Sequence, residues 1–468
     1  AKFLQQHINE NVIDEAFMAF PEEVRDETVT LIKNTLLARK ENLVETAKEY
    51  FSILNQYSVV TGTDKDDYFS INSLENGSIE VMGYRIKGGE NADIFFQKVY
   101  RPEFTKEIWV YGLDDDDVFD VNAKNSQIKI RIVGGQNNDV YKIGEESKKV
   151  HVYDFKAKKN TYEEAFGGKI HRLNDYETNT YEFLKIKASN NQFLPTLGFN
   201  PDDGFRIGLT DTYTFNGFRQ NPFTQQHTFN AAFYFATNGF YLGYKGEFAN
   251  VIDKVNLEIH ARFTSPNFTL NFFGFGNETE NNDDDEPLGL DYNRVKLRTL
   301  KLAPSLVWRG HLGSKVRVGA SYEDIEVEAT GDRFINEFYV ENGEERHQRF
   351  LGVDAEYTYS NTDNEAFPTL GMSFALEGGY KTNLQESGRS FGYIIPSLSV
   401  DHKLCSNGRL VLATKLKGHL NIGDDFEFYQ AASIGGNDGL RGFRFQRFTG
   451  KTSFYQSTDL RYSFRFGF

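Results

Sequence analysis

The carboxy-terminal half of the chain carries a repeated alternation of apolar and polar residues. In segment 255–264, the residues Val, Leu, Ile, Ala and Phe alternate with Asn, Glu, His, Arg and Thr, and segments 351–358 and 410–420 follow the same pattern. A period of two gives each strand one apolar and one polar face. A soluble β-sandwich would also alternate, but it gives no reason for strands this long. Segments of about ten residues that alternate apolar and polar side chains predict a transmembrane antiparallel β-barrel with a water-filled lumen over residues 191–468.

Twelve strands are predicted in this half. They lie near residues 205–215, 228–238, 239–250, 254–265, 267–277, 294–309, 314–329, 349–360, 370–383, 391–404, 408–422 and 452–466. The connections after the first, fifth, seventh and eleventh strands are long, whereas those after the second, fourth, sixth and tenth are tight and the eighth is intermediate. Outer-membrane barrels have short periplasmic turns and longer external loops. The asymmetry therefore predicts a periplasmic amino-terminal region and an external loop after the eleventh strand.

Two regions are predicted ahead of the barrel. Residues 1–55 form a helical segment, because apolar residues recur at helical spacing within 12–20 and 43–54. Residues 56–190 form a β-rich periplasmic domain with an internal repeat. Its copies are GTDKDDYFSI from residue 62, GGENADIFFQ from 88, GLDDDDVFDV from 112 and GGQNNDVYKI from 134. A near-constant period predicts stacked units, each a glycine-acidic turn followed by a short strand.

The acidic turns of the repeat are the candidate metal site. The candidate ligands are Asp64, Asp66, Asp67, Asp93, Asp114, Asp116, Asp117 and Asp139. The copies resemble the turns of calcium-binding β-helix repeats, in which carboxylates and carbonyls supply the oxygen ligands that Ca²⁺ prefers. Asp67, Asp93, Asp117 and Asp139 hold the same point of each copy, which predicts a shared structural role. Two hypotheses stay open: the turns bind Ca²⁺, or Asp and Asn are only turn formers. No other cofactor is predicted.

Composition narrows the class of protein. Aromatic residues make up 15% of the chain, with an excess after about residue 190, which suits strands and membrane-interface girdles. The net charge of −15 argues against a nucleic-acid partner. The single cysteine, Cys405, excludes an internal disulfide framework. No run of 18 apolar residues predicts a transmembrane helix, and the first residues do not have the pattern of a signal peptide.

The stretch SIGGNDGLRGFRFQRFTG, residues 433–450, lies between the last two predicted strands and is too long for a hairpin turn. Its glycines at 439 and 442 allow sharp turns of the backbone. Arg441 offers a planar fork of donors that can pair with a carboxylate, and Asp459 on the polar face of the next strand is the nearest candidate. The predicted loop anchor consists of Gly439, Leu440, Arg441, Gly442, Phe443 and Asp459.

The sequence FEFYQAASIGGNDGLRGFRFQRFTG, followed by FYQSTDLRYSF, resembles the conserved loop and next strand of the BamA/TamA-like outer-membrane assembly and translocation superfamily. In that family the loop folds back into the barrel lumen, where its arginine contacts an inward acidic residue. The resemblance covers about residues 191–468. It implies a sixteen-strand barrel, so we expect four strands beyond Phe468, the alternative being a barrel of twelve strands.

The resemblance also implies a function. It places the chain in the bacterial outer membrane, in contact with its lipid, where it inserts or translocates proteins. Client outer-membrane or secreted proteins and accessory subunits are the implied partners.

Two alternatives remain open. The POTRA modules that usually precede the barrel are not recognisable, and residues 1–190 instead resemble the segment between enzyme and barrel in a subfamily that has a calcineurin-like phosphoesterase ahead of the barrel. No D-x-H or G-N-H-[DE] cluster occurs, so we do not expect this chain itself to be an enzyme. The barrel would then anchor, or serve as a conduit for, an attached phosphoesterase. The third hypothesis is a calcium-dependent surface adhesin or a simple porin.

Overall fold

The protein is mainly β, as predicted. The computed structural model describes residues 1–163, 167–200, 204–282, 288–310, 313–343, 345–386, 388–436 and 439–464. The chain divides into two compact units, Ala1–Ile186 and Lys187–Phe468. Within the described residues, no helix is both long enough and apolar enough to cross a membrane.

The first unit begins with a helical segment. Its helices are α1 (Lys2–His7), α2 (Glu10–Met18), α3 (Glu27–Glu41) and α4 (Leu43–Leu54), with a 3₁₀ turn at Glu22–Val24. The side chains of Asn9 and Asp26 accept hydrogen bonds from the first turns of α2 and α3, which fixes where these helices start. Lys33 of α3 joins the two helices through ion pairs of 2.8 Å with Glu10 and 2.7 Å with Asp14.

The rest of the first unit is a two-sided solenoid. Its strands are β1 (Tyr57–Thr61), β2 (Asp67–Ser73), β3 (Ile79–Lys87), β4 (Glu90–Tyr100), β5 (Glu107–Leu113), β6 (Val118–Asn122), β7 (Lys129–Gly135), β8 (Val140–Ile143), β9 (Val150–Asp154), β10 (Thr161–Tyr162) and β11 (Lys169–Arg172), followed by helix α5 (Tyr176–Asn179) and a 3₁₀ turn at Phe183–Lys185. One parallel sheet has the order β1-β5-β7-β9-β11, and the second sheet has the order β10-β8-β6-β2-β3-β4. Between them, the rings of Phe69, Phe119 and Tyr141 stack at 5.2 and 5.3 Å. The stacked coils therefore bury one continuous aromatic and aliphatic core.

The second predicted repeat copy is not a coil of the solenoid. Gly88 and Gly89 have φ of 63° and 84° and form the tight turn of the β3–β4 hairpin. Asp93 follows on the exposed strand β4, with Lys87 at 2.9 Å. The expectation that Asp93 shares the position of the other repeat aspartates is therefore wrong, because a hairpin turn and a coil turn carry similar residues.

A coil that the sequence did not reveal completes the solenoid. It turns between β9 and β10, and Asn160 there takes the place that aspartate holds in the other coils. The turn, DFKAKKN, contains neither glycine nor an acidic run, so the repeat pattern does not include it.

The second unit is built on one large antiparallel sheet. Its strands in order are β12 (Asn190–Asn200), β13 (Gly204–Phe215), β14 (Gln225–Tyr234), β15 (Gly239–Ile252), β16 (Val255–Thr264), β18 (Arg294–Arg309), β19 (Ser314–Val327), β20 (His347–Ser360), β21 (Gly371–Asn383), β22 (Ser390–Lys403), β23 (Leu410–Ile422) and β26 (Thr452–Tyr462), with the short β17 (Thr269–Asn271) paired to β18 outside this order. Its connections contain helix α6 (Phe334–Asn342), 3₁₀ turns at Gly289–Asp291 and Phe428–Gln430, and a small hairpin of β24 (Ala432–Ile434) and β25 (Phe448–Gly450).

The sheet order contains twelve strands, as predicted, but they are not the same twelve strands. Strand β12 precedes the first predicted strand. It contains Pro195, which a strand at the end of the sheet order tolerates. The predicted strand 267–277 is reduced to β17, because Gly274 and Gly276 take φ of 99° and 110°. As a result, the connection 216–224 lies at the same end of the sheet as the short turn between β15 and β16, and not with the long loops as predicted.

The sheet curves around a lumen. Arg206 of β13 and His419 of β23 line the same cavity, whose volume is about 610 Å³. These strands are nine positions apart in the order, which would separate them by roughly 40 Å in a flat sheet at about 4.8 Å per strand. On the concave face, Glu323 of β19 pairs with Lys301 at 2.9 Å and with Lys381 at 2.8 Å. The polar face of the strands therefore lines the lumen.

Candidate functional site

The candidate site is the long connection between β23 and β26. Its hairpin, β24 and β25, holds a tip that contains the predicted anchor residues. Gly439 and Arg441 line a cavity of about 580 Å³ together with Asp401 and Asp459 of the sheet. The loop therefore lies against the concave face of the sheet. Residues 437 and 438 of the tip are outside the described residues.

The two predicted turn glycines adopt backbone conformations that side chains disfavour. Gly439 has φ of 139° and Gly442 has φ of 92°. A Cβ at Gly439 would also lie 2.7 Å from the Ile434 Cγ2. Between the glycines, the half-buried Leu440 accepts a hydrogen bond of 3.4 Å from the Phe443 amide through its carbonyl oxygen. The tip is thus a compact turn that needs glycine at position 439.

Arg441 and Asp459 are brought together, but loosely. The Arg441 Nη1 lies 3.4 Å from the Asp459 Oδ1, and the two side chains are 72% and 44% exposed. Exposed pairs of this kind contribute about 0–1 kcal/mol. Phe443 packs edge-on against Phe448 at 5.5 Å and is itself half exposed. These contacts alone do not explain why the loop stays docked.

Two further arginines of the tip make the stronger contacts. Arg444 donates from Nη2 to the Asn271 Oδ1 at 2.9 Å, and Arg447 donates from Nη1 to the Thr279 Oγ1 at 2.8 Å. Both guanidinium groups also stack over the buried ring of Phe273, at 5.3 and 4.8 Å. Sequence reasoning missed both residues. The signal was the interleaving of three arginines with phenylalanines in RGFRFQRF, of which we had considered only the first.

The start of the same connection is held by an aromatic cluster. Phe428 lies 4.7 Å from the fully buried Phe272, and Phe338 of α6 lies 5.0 Å from the same ring. Valine, leucine and isoleucine side chains of β18 and β19 complete the cluster. Three long connections therefore share one small core, and the candidate loop is docked at both its base and its tip.

Part of the second unit matches a known protein family. Residues 252–467 match the Omp85 superfamily domain. The resemblance inferred from the loop is therefore confirmed for this part of the chain, which includes the candidate loop and nine of the twelve strands in the sheet order at least in part. A comparison with curated proteins found no match.

Several solved structures are similar to the chain. One of them is the crystal structure of BamA from Haemophilus ducreyi lacking POTRA domains 1-3, with 17% sequence identity and a TM-score of 0.41. The match covers 56% of this chain and 47% of that one, so this chain spans less than half of that structure.

The predicted metal ligands lie outside the residues that match the Omp85 superfamily domain. Except for Asp93 on β4, they lie in or next to the solenoid turns, where several form a buried ladder. The Asp67 amide donates to the Asp117 Oδ1 and the Asp117 amide to the Asp139 Oδ1, both at 2.9 Å. The Asp139 amide continues the series to the Asn160 Oδ1 at 2.8 Å. All three aspartates are fully buried. The carboxylates of Asp117 and Asp139 and the side-chain oxygen of Asn160 thus each accept from a backbone amide of the preceding coil.

A second ladder runs along the solvent side of the same turns in the opposite direction. The Asp116 amide donates to the Asp66 Oδ1 at 3.2 Å, and the Asn138 amide donates to the Asp116 Oδ1 at 3.0 Å. Asp114 accepts from the Asp115 amide at 3.0 Å, and both Asp64 and Asp114 line a cavity of about 240 Å³. In the part of the chain that the structure describes, no group of three or more His, Cys, Asp or Glu side chains is placed to hold a metal ion. Calcium binding stays a prediction.

Burial changes the protonation of the inner ladder. It raises the pKa of Asp117 to about 9, and the neighbouring Asp139 carboxylate adds to the shift. The pKa of Asp139 is also raised by burial. Because these folded-state pKa values exceed the unfolded value of about 3.9, the stability they contribute is complete below that value. It is lost as the pH rises through the folded-state pKa values.

Proposed function

We propose that this chain is part of an outer-membrane protein that inserts or translocates proteins, with its first unit in the periplasm. The match of residues 252–467 to the Omp85 superfamily domain carries this proposal. Outer-membrane lipid surrounds the convex face, and client outer-membrane or secreted proteins and accessory subunits are the proposed partners. The exposed apolar side chains of the strands, such as Leu302 and Leu460, support a lipid-facing surface.

The position of the candidate loop supports an assembly or translocation role over that of a simple porin. A porin needs an open lumen, whereas the docked tip, through Phe445 and Gln446, lines the lumenal cavity together with strand residues such as Glu377. Arg444 and Arg447 hold one side of the tip, and Arg441 remains exposed on the other. We therefore propose that the loop is a docked element of the machine, with Arg444 and Arg447 holding its tip, and that the predicted Arg441–Asp459 anchor is a weaker, exchangeable lumenal contact.

Depletion of the protein, followed by a quantitative census of outer-membrane proteins, tests the function. Broad loss of several barrel or secreted proteins is the expected result. The depleted strain is then complemented with the double variant R444A/R447A. The control is K403A, because Lys403 is the last residue of β22, at the end of the sheet away from the loop. We expect the control to restore the census and the double variant to fail. An unchanged census after depletion would refute the proposal.

A barrel that anchors or conducts for an attached phosphoesterase is the second candidate. The observation that favours it is the first unit, which in its described residues consists of short helices and a parallel solenoid rather than of repeated strand-and-helix modules. If this second candidate function is correct, depletion leaves the census of outer-membrane proteins unchanged and removes phosphatase activity from the cell envelope. The same depletion experiment therefore separates the two functions.

A further inference from the structure

The lumenal cavity lined by Arg206 and His419 is positively charged, although the protein as a whole is acidic. Four cationic side chains line its volume of about 610 Å³, and Glu323 and Glu377 are the carboxylates that line it. With His419 neutral, the lining has a net charge of +2, whereas the whole chain has −15. Glu323 is engaged by Lys301 and Lys381, and Glu377 accepts a hydrogen bond from the Tyr393 hydroxyl at 3.3 Å. The Lys301–Glu323–Lys381 group carries +1 and Glu377 carries −1, so Arg206 and Arg262 supply a charge equal to the net +2 of the lining.

These two arginines are positioned by aromatic rings and not by carboxylates. The Arg206 guanidinium lies over the Tyr234 ring at 5.9 Å, and that of Arg262 lies over the Phe268 ring at 5.8 Å. The two rings contact each other edge-on at 5.6 Å, so cation, ring, ring and cation form one continuous stack. Among the described residues, neither arginine has an ion-pair partner within 4.0 Å.

Stacking of this kind leaves the binding capacity of a guanidinium intact. A ring contacts the face of the group, whereas its N–H donors lie in the plane and point outwards from the edge. The rings therefore hold the two forks in place without using their hydrogen bonds. Two fixed forks that face one cavity are suited to an oxyanion, which offers several acceptor oxygens.

Other donors in the cavity wall also lack acceptors. The Tyr429 hydroxyl and the Gln430 Nε2 are buried, and among the described residues neither has a hydrogen-bond partner. Both residues line the same cavity, close to the base of the docked loop. Buried donors without acceptors are unfavourable, so their presence beside two uncompensated cations indicates that the cavity takes a ligand rich in acceptors.

We propose that this cavity binds the phosphoryl group of a soluble phosphomonoester or of inorganic phosphate. A phosphomonoester is close to a dianion at neutral pH, which matches the net charge of the lining better than a carboxylate does. Its three terminal oxygens offer several acceptors to the N–H and O–H donors of the lining. The volume is that of an ordinary small-molecule site. The inference does not depend on the proposed function, since it uses the residues of the lumen alone.

Calorimetric titration of inorganic phosphate into the full chain, held in neutral detergent at constant chloride, tests the site. We expect binding, and we expect R206Q and R262Q each to weaken it at least about tenfold, since each removes a charge-assisted fork. R317Q is the matched control, because Arg317 lies on the same face of the sheet but pairs with Asp354 at 2.7 Å and Glu356 at 3.1 Å outside this cavity. Circular dichroism and the thermal midpoint establish that each variant is folded.

The outcomes are distinct. No phosphate binding by the folded wild-type chain overturns the proposal, and so does an equal loss in R317Q, which would show a general effect of lumenal charge. Glycerol phosphate and phosphatidic acid in nanodiscs distinguish a soluble ligand from a lipid headgroup. Tighter binding of glycerol phosphate supports the proposal, and binding of phosphatidic acid alone overturns the soluble source. Several-fold weaker phosphate binding by a Tyr429→Phe variant would show that the base of the loop contributes to the site.

Discussion

The docking of the loop between β23 and β26 depends more on Arg447 than on Arg441. Arg447 donates two hydrogen bonds to Thr279, at 2.8 Å to its hydroxyl and 2.5 Å to its carbonyl oxygen, and it stacks on Phe273. A hydrogen bond from a charged donor is worth about 1.5–3 kcal/mol and a cation–π contact about 0.5–2 kcal/mol. Because such contributions are not additive, we expect R447A to destabilise the docked loop by about 3 kcal/mol. The exposed Arg441–Asp459 pair at 3.4 Å gives at most about 1 kcal/mol.

Hydrogen–deuterium exchange of the folded chain in micelles measures this difference directly. Amides of the hairpin, such as the Gly436 amide that donates to the Phe443 carbonyl oxygen at 3.1 Å, exchange only when the loop opens. At about 1.4 kcal/mol per factor of ten, R447A should increase their exchange roughly a hundredfold and R441A less than about fivefold. R447K keeps the charge but not the fork, and it should fall between R447A and the wild type. Equal exchange in R441A and R447A would refute the reasoning.

Three further predictions concern the aromatic cluster, the loop tip and the solenoid. Phe272→Ala, in the fully buried aromatic cluster, should lower the free energy of unfolding by about 3–5 kcal/mol in equilibrium denaturation. Gly439→Ala should raise hairpin exchange at least about tenfold, because φ of 139° is strained for alanine. With Trp308→Phe in the background, the buried Trp109 reports on the solenoid alone. Because Asp117 and Asp139 each keep a proton that the unfolded chain has released, the stability of the solenoid should fall between pH 5 and pH 8 by up to roughly 2.7 kcal/mol per pH unit, and Asp117→Asn should remove about half of that slope.

The alternation of apolar and polar residues was enough to predict the large sheet. Each strand has its own local pattern, because apolar side chains such as Leu302 and Leu460 point away from the lumen and polar side chains line it. The exceptions are informative. Strand β12 was missed because Pro195 and Gly198 interrupt its pattern, although an end strand accepts both. Segment 267–277 was predicted as a strand because of its apolar residues. In the structure, these residues pack into the loop core around Phe272.

The sequence predicts that the solenoid consists of stacked units, but it does not predict which segments form the coils. Glycine and aspartate serve both a hairpin turn and a coil turn, so the copy at Gly88 is indistinguishable in sequence from those at Gly62 and Gly112. What separates them is the partner of the aspartate, which lies 50 residues away for Asp67 and 22 residues away for Asp117. Asn160 can hold the same place because its side chain offers the same acceptor oxygen.

The candidate loop shows why a motif identifies a region better than it ranks the residues within it. The motif around Arg441 led to a family resemblance, which the match of residues 252–467 to the Omp85 superfamily domain confirms. The contacts that hold the tip, however, join Arg444 and Arg447 to Asn271 and Thr279, which are 173 and 168 residues away. No local pattern records such a separation. If the loop moves when the protein works, these buried contacts must break first, whereas the exposed Arg441 pair can exchange partners at little cost in free energy. Arg441 is therefore the group that can change partners most readily, and Arg444 and Arg447 set how firmly the loop is held.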